Sequence, residues 1–231
     1  MIDKTFPIFE GKQNVLIIVF FSIYLTLSAL HLIFAFLEKE GMRKVTKPFL
    51  LFLLSLMMFL LFPYEPFLYL GCLFGMIGDI FFIFKSQRKC VYLGMLSFFL
   101  NHVFYILETG KILLSLDELK TGFVLLYGIL FLILLFSSFF GIKKILKIDT
   151  KLSLAGSVYS SSLAMDCLLC LYAALKGSAF FYLSFGGMIL FILSDSLLSY
   201  TMFIKDIKRR DFYIMLLYLL AQAMFLFGVI G

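Results

Sequence analysis

The chain has 231 residues, of which 63% are hydrophobic, 19% aromatic and only 15% charged, and its mean hydropathy is +1.07. Soluble domains carry about 25% charged residues, and no single soluble core of this size hides so much apolar side chain. The composition excludes a water-soluble enzyme, a nucleic-acid binder and a disordered chain. A net charge of +6 needs no acidic partner, because the cytoplasmic loops of membrane proteins collect Lys and Arg.

A helix needs about 20 apolar residues to cross a bilayer. Eight such runs occur, at about 15–37, 48–64, 66–84, 91–107, 122–140, 152–175, 178–203 and 212–230. Their length, without strict alternation, predicts helices rather than a β-barrel. The opening stretch MIDKTFPIFEGKQN lacks a basic n-region and a small-residue cleavage site, so the first run is expected to stay as a span. Of the 20 Lys and Arg, 15 fall in the loops after the first, third, fifth and seventh spans. That bias predicts an all-α bundle of eight spans in one transmembrane domain over 1–231, with those loops cytoplasmic and both termini outside. The expected location is the cytoplasmic membrane of a bacterium, as a multi-pass protein.

Small residues mark expected close contacts. Gly71 and Gly75 form a G-x-x-x-G with Gly78 one turn on; Ala155, Gly156, Ser157, Ser160 and Ser161 open the sixth span; Gly186 and Gly187 lie in the seventh. Such residues let helix backbones approach in lipid. Packing within the chain is the first reading and dimerisation the second, which leaves the oligomeric state open. Four cysteines make no disulfide framework. Cys167 and Cys170 form a C-x-x-C inside an apolar run, where plain packing is favoured over metal or redox chemistry.

Three carboxylates lie well inside spans: Asp79, Asp166 and Asp195. A charge at mid-bilayer costs roughly 3 kcal/mol unless it faces a cavity, finds a partner or stays protonated. Depth can be counted at about 1.5 Å per residue from the nearest predicted cytoplasmic helix end. Asp79 lies about 8 Å in, His31 about 9 Å, and Tyr159 and Tyr218 about 9–11 Å. Asp195 lies about 12 Å in, and Asn101, His102 and Gln222 about 15 Å. Six spans thus place polar groups in one expected layer. Asp166, about 21 Å in, lies off it. Neutral side chains at such depths are readily explained as interhelical hydrogen bonds of roughly 0.6 kcal/mol each. Two carboxyl groups at related depths point further, since a pair sharing one site can hold a single proton. That suits acid/base catalysis, and equally a proton-coupled transporter.

Missing motifs narrow the chemistry. There is no G-x-S-x-G, H-E-x-x-H, Walker or dinucleotide glycine loop, and two histidines in the whole chain argue against a catalytic metal. No cofactor is expected. The run from Gly75 to Asp79 approaches the G-x-G-D of intramembrane aspartyl proteases, but Ile77 breaks the pattern and Ser194, not Tyr, precedes Asp195.

Four stretches, taken in order, resemble the lysoplasmalogenase-like (YhhN-like) integral membrane proteins. They are GCLFGMIGDIFFIF with Gly78 and Asp79; YLGMLSFFLNHVFYI with His102 and Tyr105; GGMILFILSDSLLSYTMF with Ser194 and Asp195; and YLLAQAMFLFG with Tyr218, Ala221 and Gln222. Lys47 and Pro48 also match the family's K-P before the second span. The resemblance runs over roughly residues 47–228; Asp166 is not among its positions.

The resemblance implies hydrolysis of the sn-1 vinyl-ether bond of lysoplasmalogens to a fatty aldehyde and a glycerophospho-alcohol, with Asp79 and Asp195 as the catalytic pair. Protonating the outer alkene carbon creates an oxocarbenium ion, water adds, and the hemiacetal collapses. This needs one carboxylic acid and one carboxylate, as glycoside cleavage does. Asp195 is the expected acid and Asp79 the expected carboxylate. Asn101, His102, Tyr105, Tyr159, Ser194, Tyr218 and Gln222 are expected to orient water and the glycerol oxygens or to support the site. Lys47 is expected either to meet the lipid phosphate or to serve only as a topology lysine. The expected partners are a lysophospholipid-type substrate, water and membrane lipids. Two alternatives stand beside the hydrolase: a proton-coupled lipid or amphiphile transporter, and a non-catalytic lipid-binding protein. No internal repeat with paired broken helices favours the first, and intact aspartates count against the second.

Overall fold

The computed structural model describes residues 11–116, 121–176 and 179–230. Most of the amino-terminal stretch read for a leader, and residue 178 at the predicted start of the seventh span, lie outside the described residues. Eight helices follow in chain order: α1 (Gly11–Phe36), α2 (Glu40–Leu61), α3 (Pro66–Ile83), α4 (Arg88–Ser115), α5 (Thr121–Leu146), α6 (Thr150–Leu175), α7 (Phe181–Phe203) and α8 (Arg210–Ile230). All eight are long and apolar enough to cross a membrane. There is no strand among the described residues. The protein is a multi-pass, all-helical membrane protein, as its composition predicts.

Three helices run six or more residues beyond their apolar stretches. The second continues back through Pro48 to Glu40, carrying Arg43, Lys44 and Lys47 on helical turns. Glu40 sits in its first turn, where the helix dipole favours an acid. The fourth continues to Ser115 because Glu108, which stops the apolar run, is fully buried and paired with Lys111 at 3.2 Å. The fifth runs on to Leu146, with Lys143 and Lys144 in its last turn. Hydropathy sees only lipid-facing length, whereas backbone hydrogen bonding carries a helix past charges that find partners.

Seven helices close a ring in the order α1, α2, α3, α4, α6, α7, α8 and back to α1. A polar bond bridges every joint of that ring. His31 Nδ1 meets Thr46 Oγ1 at 2.7 Å between α1 and α2, and Ser55 donates to Tyr69 O at 2.9 Å between α2 and α3. Asn101 Nδ2 donates to Gly71 O at 2.8 Å, joining α4 to α3. His102 Nδ1 lies 3.0 Å from Asp166 Oδ2, joining α4 to α6, and Tyr159 donates to Asp195, joining α6 to α7. Ser184 and Ser194 each donate to a carbonyl of α8 at 3.0 Å, and Tyr24 closes the ring by donating to Leu219 O at 3.1 Å. In lipid, where hydrophobicity alone does not pair helices, such bonds and close backbone contact supply the association.

α5 stands outside the ring. It has no buried residue and packs on α6, where Tyr127 donates to Met165 O at 2.7 Å and Ser138 meets Ser161 at 3.2 Å. α1 contributes a buried stripe of Tyr24, Ser28, His31 and Ala35, flanked by Ile17, Phe20, Phe21, Leu27 and Leu32 packed on the core, and turns its other face outward. The small residues act within the chain, as expected. Gly71 and Gly78 admit the rings of Tyr105 and Phe98 from α4. A Cβ at Gly187 would lie 2.8 Å from Ala221 O and 2.9 Å from Phe225 N, so α7 and α8 touch backbone to backbone.

The loops after α1, α3, α5 and α7 share one end of the bundle. Glu38 accepts from the Arg209 N–H, Arg209 lies over the Phe36 ring at 3.8 Å, and Arg88 pairs with Asp149. This is the basic end. At the opposite end Lys111 of α4 donates to Tyr64 O at 3.2 Å and pairs with Glu65.

Candidate functional site

A cavity of about 90 Å³ opens into the basic end, between the termini of α2, α3, α7 and α8. Asp79 and Asp195, from α3 and α7, both face it. Helix ends explain why they meet. α3 ends at Ile83 and α7 at Phe203, so both carboxyl groups lie between about one and two turns inside the same membrane face.

The two are held differently. Asp79 is buried, with Lys47 Nζ 3.0 Å from Oδ1 and the Tyr218 hydroxyl donating to Oδ2 at 3.1 Å. A cation on one oxygen and a neutral donor on the other suit an ionised carboxylate. Asp195 is only partly buried and accepts from the Tyr159 hydroxyl through Oδ2, with no cation beside it in an ion pair among the described residues. Ser194 also lines the cavity, but its hydroxyl is committed to Ile214 O at 3.0 Å. His31 lines it too, beside Thr46.

The polar layer expected from the sequence resolves into two tiers. Measured from the observed helix ends, His31, Lys47, Asp79, Tyr159, Asp195 and Tyr218 lie about 6–14 Å deep. Asn101, His102, Tyr105, Asp166 and Gln222 lie about 18–25 Å deep. None of this second group lines the cavity. They form a buried network instead: Tyr105 donates to Gln222 Oε1 at 2.7 Å and lies 3.4 Å from Cys72 Sγ, while His102 faces Asp166. The single layer followed from starting α4 at residue 91 and α8 at residue 212, where the helices begin at Arg88 and Arg210. The true start of α4 moves His102 to the depth of Asp166. Asn101 Oδ1, His102 Nε2 and Gln222 Nε2 have no hydrogen-bond partner among the described residues.

Lys47, expected either to meet lipid phosphate at the mouth or to serve only as a topology lysine, is paired with Asp79 at 3.0 Å. The sequence reading missed the residues that replace it at the mouth: Arg43, Lys85 and Asp211. Arg43 pairs with Asp211, Lys44 with Glu40 at 2.7 Å, and Arg210 with Asp206 at 2.8 Å. Lys85, in the α3–α4 loop, lines the cavity without an ion pair or hydrogen bond among the described residues. Burial pushes its ammonium below the ordinary lysine value; Asp211 opposes that, and Arg210, Lys47 and Arg43 add to it. The only sequence signal for Arg43 and Lys85 was the clustering of basic residues, which topology explained already, and Asp211 carried none.

A smaller apolar cavity of about 40 Å³ adjoins the first, between α3, α4, α6 and α7. Phe82, Met95, Leu198, Met202 and Phe203 line it, and Asp195 borders both spaces. One carboxyl group therefore stands between a charged mouth and an apolar slot.

Of the known proteins, no curated protein and no solved structure matches the chain. A family model does, over residues 42–229, from the first turn of α2 to the last of α8, so it spans every helix except α1 and includes every residue discussed here except His31 and Glu40. The chain belongs to the YhhN family.

Proposed function

We propose that the protein hydrolyses the sn-1 vinyl-ether bond of lysoplasmalogens at the basic end of the bundle, on the cytoplasmic side. The observation that carries this reading is the unequal setting of two carboxyl groups on one cavity. Asp79 has donors on both oxygens and Asp195 on one. Membership of the YhhN family supports a lysoplasmalogenase-like activity.

In this reading Asp195 is the acid. Its proton goes to the outer alkene carbon, the double-bond electrons form the new C–H bond, and the ether carbon becomes an oxocarbenium ion. The Asp79 carboxylate stabilises that charge in surroundings of low dielectric. Water adds to the cationic carbon and returns a proton to Asp195. The hemiacetal then collapses: the bond to the glycerol oxygen breaks, that oxygen takes up a proton, and the hydroxyl becomes the aldehyde carbonyl. One water is consumed. A cavity of about 90 Å³ has room for a few waters at about 10–15 Å³ each. The apolar slot beside Asp195 suits the first carbons of the alkenyl chain.

The test is aldehyde release from detergent-purified protein given lysoplasmalogen, with folded Asp79→Asn and Asp195→Asn variants as controls. Aldehyde from the wild type and none from either variant supports the reading. Absence of aldehyde from folded wild type, across head groups and pH, overturns it. A second reading, proton-coupled amphiphile transport, draws on the buried His102–Asp166 pair, an ionisable couple that the hydrolytic scheme leaves unused. It predicts lysolipid uptake driven by a pH gradient with no aldehyde formed.

A further inference from the structure

The charges around the cavity do not balance once Asp195 holds the proton its role requires. Arg43 is matched by Asp211, Lys44 by Glu40 and Lys47 by Asp79. Lys85 is left over, facing the same space. It is half-buried; Asp211 favours its charge but is already shared by Arg43 and Arg210, and Arg210, Lys47 and Arg43 oppose it. Several cations converging on a recess, with one of them unmatched, is the electrostatic pattern of an anion site. The unmatched charge is one unit, and the recess lies at the end of the bundle where lipid head groups meet water.

We propose that Lys85 binds the phosphate of a phosphodiester at the cavity mouth and so determines specificity for a phosphate-bearing amphiphile. A phosphodiester carries one negative charge, which matches the one unmatched ammonium, and two free oxygens that can accept from it. The anion relieves the cost of a half-buried ammonium that has no carboxylate of its own. Lys47 does not fill this role, because its ammonium is committed to Asp79. The inference deepens the ether-lipid reading and rests on it for the substrate's chain, while the phosphate contact is separable from cleavage.

The experiment measures binding to the full-length chain in detergent, with an ester-linked lysophosphatidylethanolamine and a monoacylglycerol of the same chain length. The first has the phosphate and no vinyl ether; the second has neither. Lys85→Ala is expected to weaken lysophospholipid binding about tenfold or more, as loss of a charge-assisted hydrogen bond does, and to leave monoacylglycerol binding unchanged. Lys85→Arg is expected to retain most of the affinity. Competition by glycerophosphate or inorganic phosphate supports the same site with a free phosphate as ligand; selective loss of lysophospholipid without such competition supports a lipid head group. Equal binding by wild type and Lys85→Ala, or equal loss for both amphiphiles, overturns the proposal. Because neither probe is cleaved at a vinyl ether, failure to detect aldehyde bears on the hydrolase reading alone.

Discussion

Lys47 reaches from α2 to place its ammonium 3.0 Å from Asp79 Oδ1, with 20% of the lysine side chain and 3% of the aspartate exposed. This partly desolvated pair ties the amphipathic start of α2 to α3 and holds the Asp79 carboxyl group in one orientation. Removing one member of a buried pair strands the other, which typically costs about 3–5 kcal/mol. With Lys47 still touching solvent, Lys47→Met is expected to destabilise the fold by about 3 kcal/mol. In Lys47→Met/Asp79→Asn much of that stability returns and aldehyde release does not. Thermal unfolding of the four proteins in one detergent, as a double-mutant cycle, checks it.

The two phenols make different demands. Tyr159→Phe removes the bond that holds Asp195, and Tyr218→Phe leaves Asp79 with Lys47 alone. Each is expected to lower the rate of aldehyde formation about tenfold or more, against a loss of about 10²–10⁴-fold for either carboxyl group. Initial rates at saturating lysoplasmalogen read the difference. A phenol variant as inactive as Asp195→Asn would assign that tyrosine a direct proton-transfer role.

Asp166 and His102 belong to the deeper tier, so Asp166→Asn is expected to act on stability before chemistry. Leaving the buried imbalance costs about 1–3 kcal/mol, read as a lower unfolding temperature, while the folded fraction still releases aldehyde. If the variant is stable and inactive, the pair is part of the working machinery.

Packing of α7 on α8 sets where Asp195 and Tyr218 stand. Gly187→Ala drives a methyl into Ala221 O and Phe225 N, neither of which can rotate away, at an expected cost of about 1–3 kcal/mol. Gly110→Ala meets nothing within 4 Å and is expected to be neutral or to stabilise by up to about 1 kcal/mol through helix propensity. Unfolding curves of the two variants side by side give the contrast.

Orientation has a native reporter. Cys90 lies partly exposed at the basic end, whereas Cys72, Cys167 and Cys170 are buried. A membrane-impermeant maleimide is expected to label Cys90 in inverted vesicles and not in intact cells. Labelling in intact cells would reverse the assignment of the basic end to the cytoplasm.

The amino-acid sequence by itself determined the eight spans and the shared end of the basic loops, because both follow from local properties. Apolar length makes a span, and loop charge marks a side. It also singled out Asp79 and Asp195, since a carboxyl group inside an apolar run stands out without any knowledge of its neighbours. Only the tertiary structure decided which helices meet. α5 lies between α4 and α6 in sequence, yet α4 packs directly on α6 and α5 is left outside the ring. That exclusion brings His102 to Asp166, a pair 64 residues apart. Lys47 illustrates the same limit. Its position near a span end was legible, but whether it faces solvent, lipid phosphate or Asp79 depends on the helix continuing through Pro48, which apolar length does not report. The physical reason is one of range: backbone hydrogen bonding and hydropathy act along neighbouring residues, whereas the partner of a buried charge is chosen by helix packing across the whole bundle.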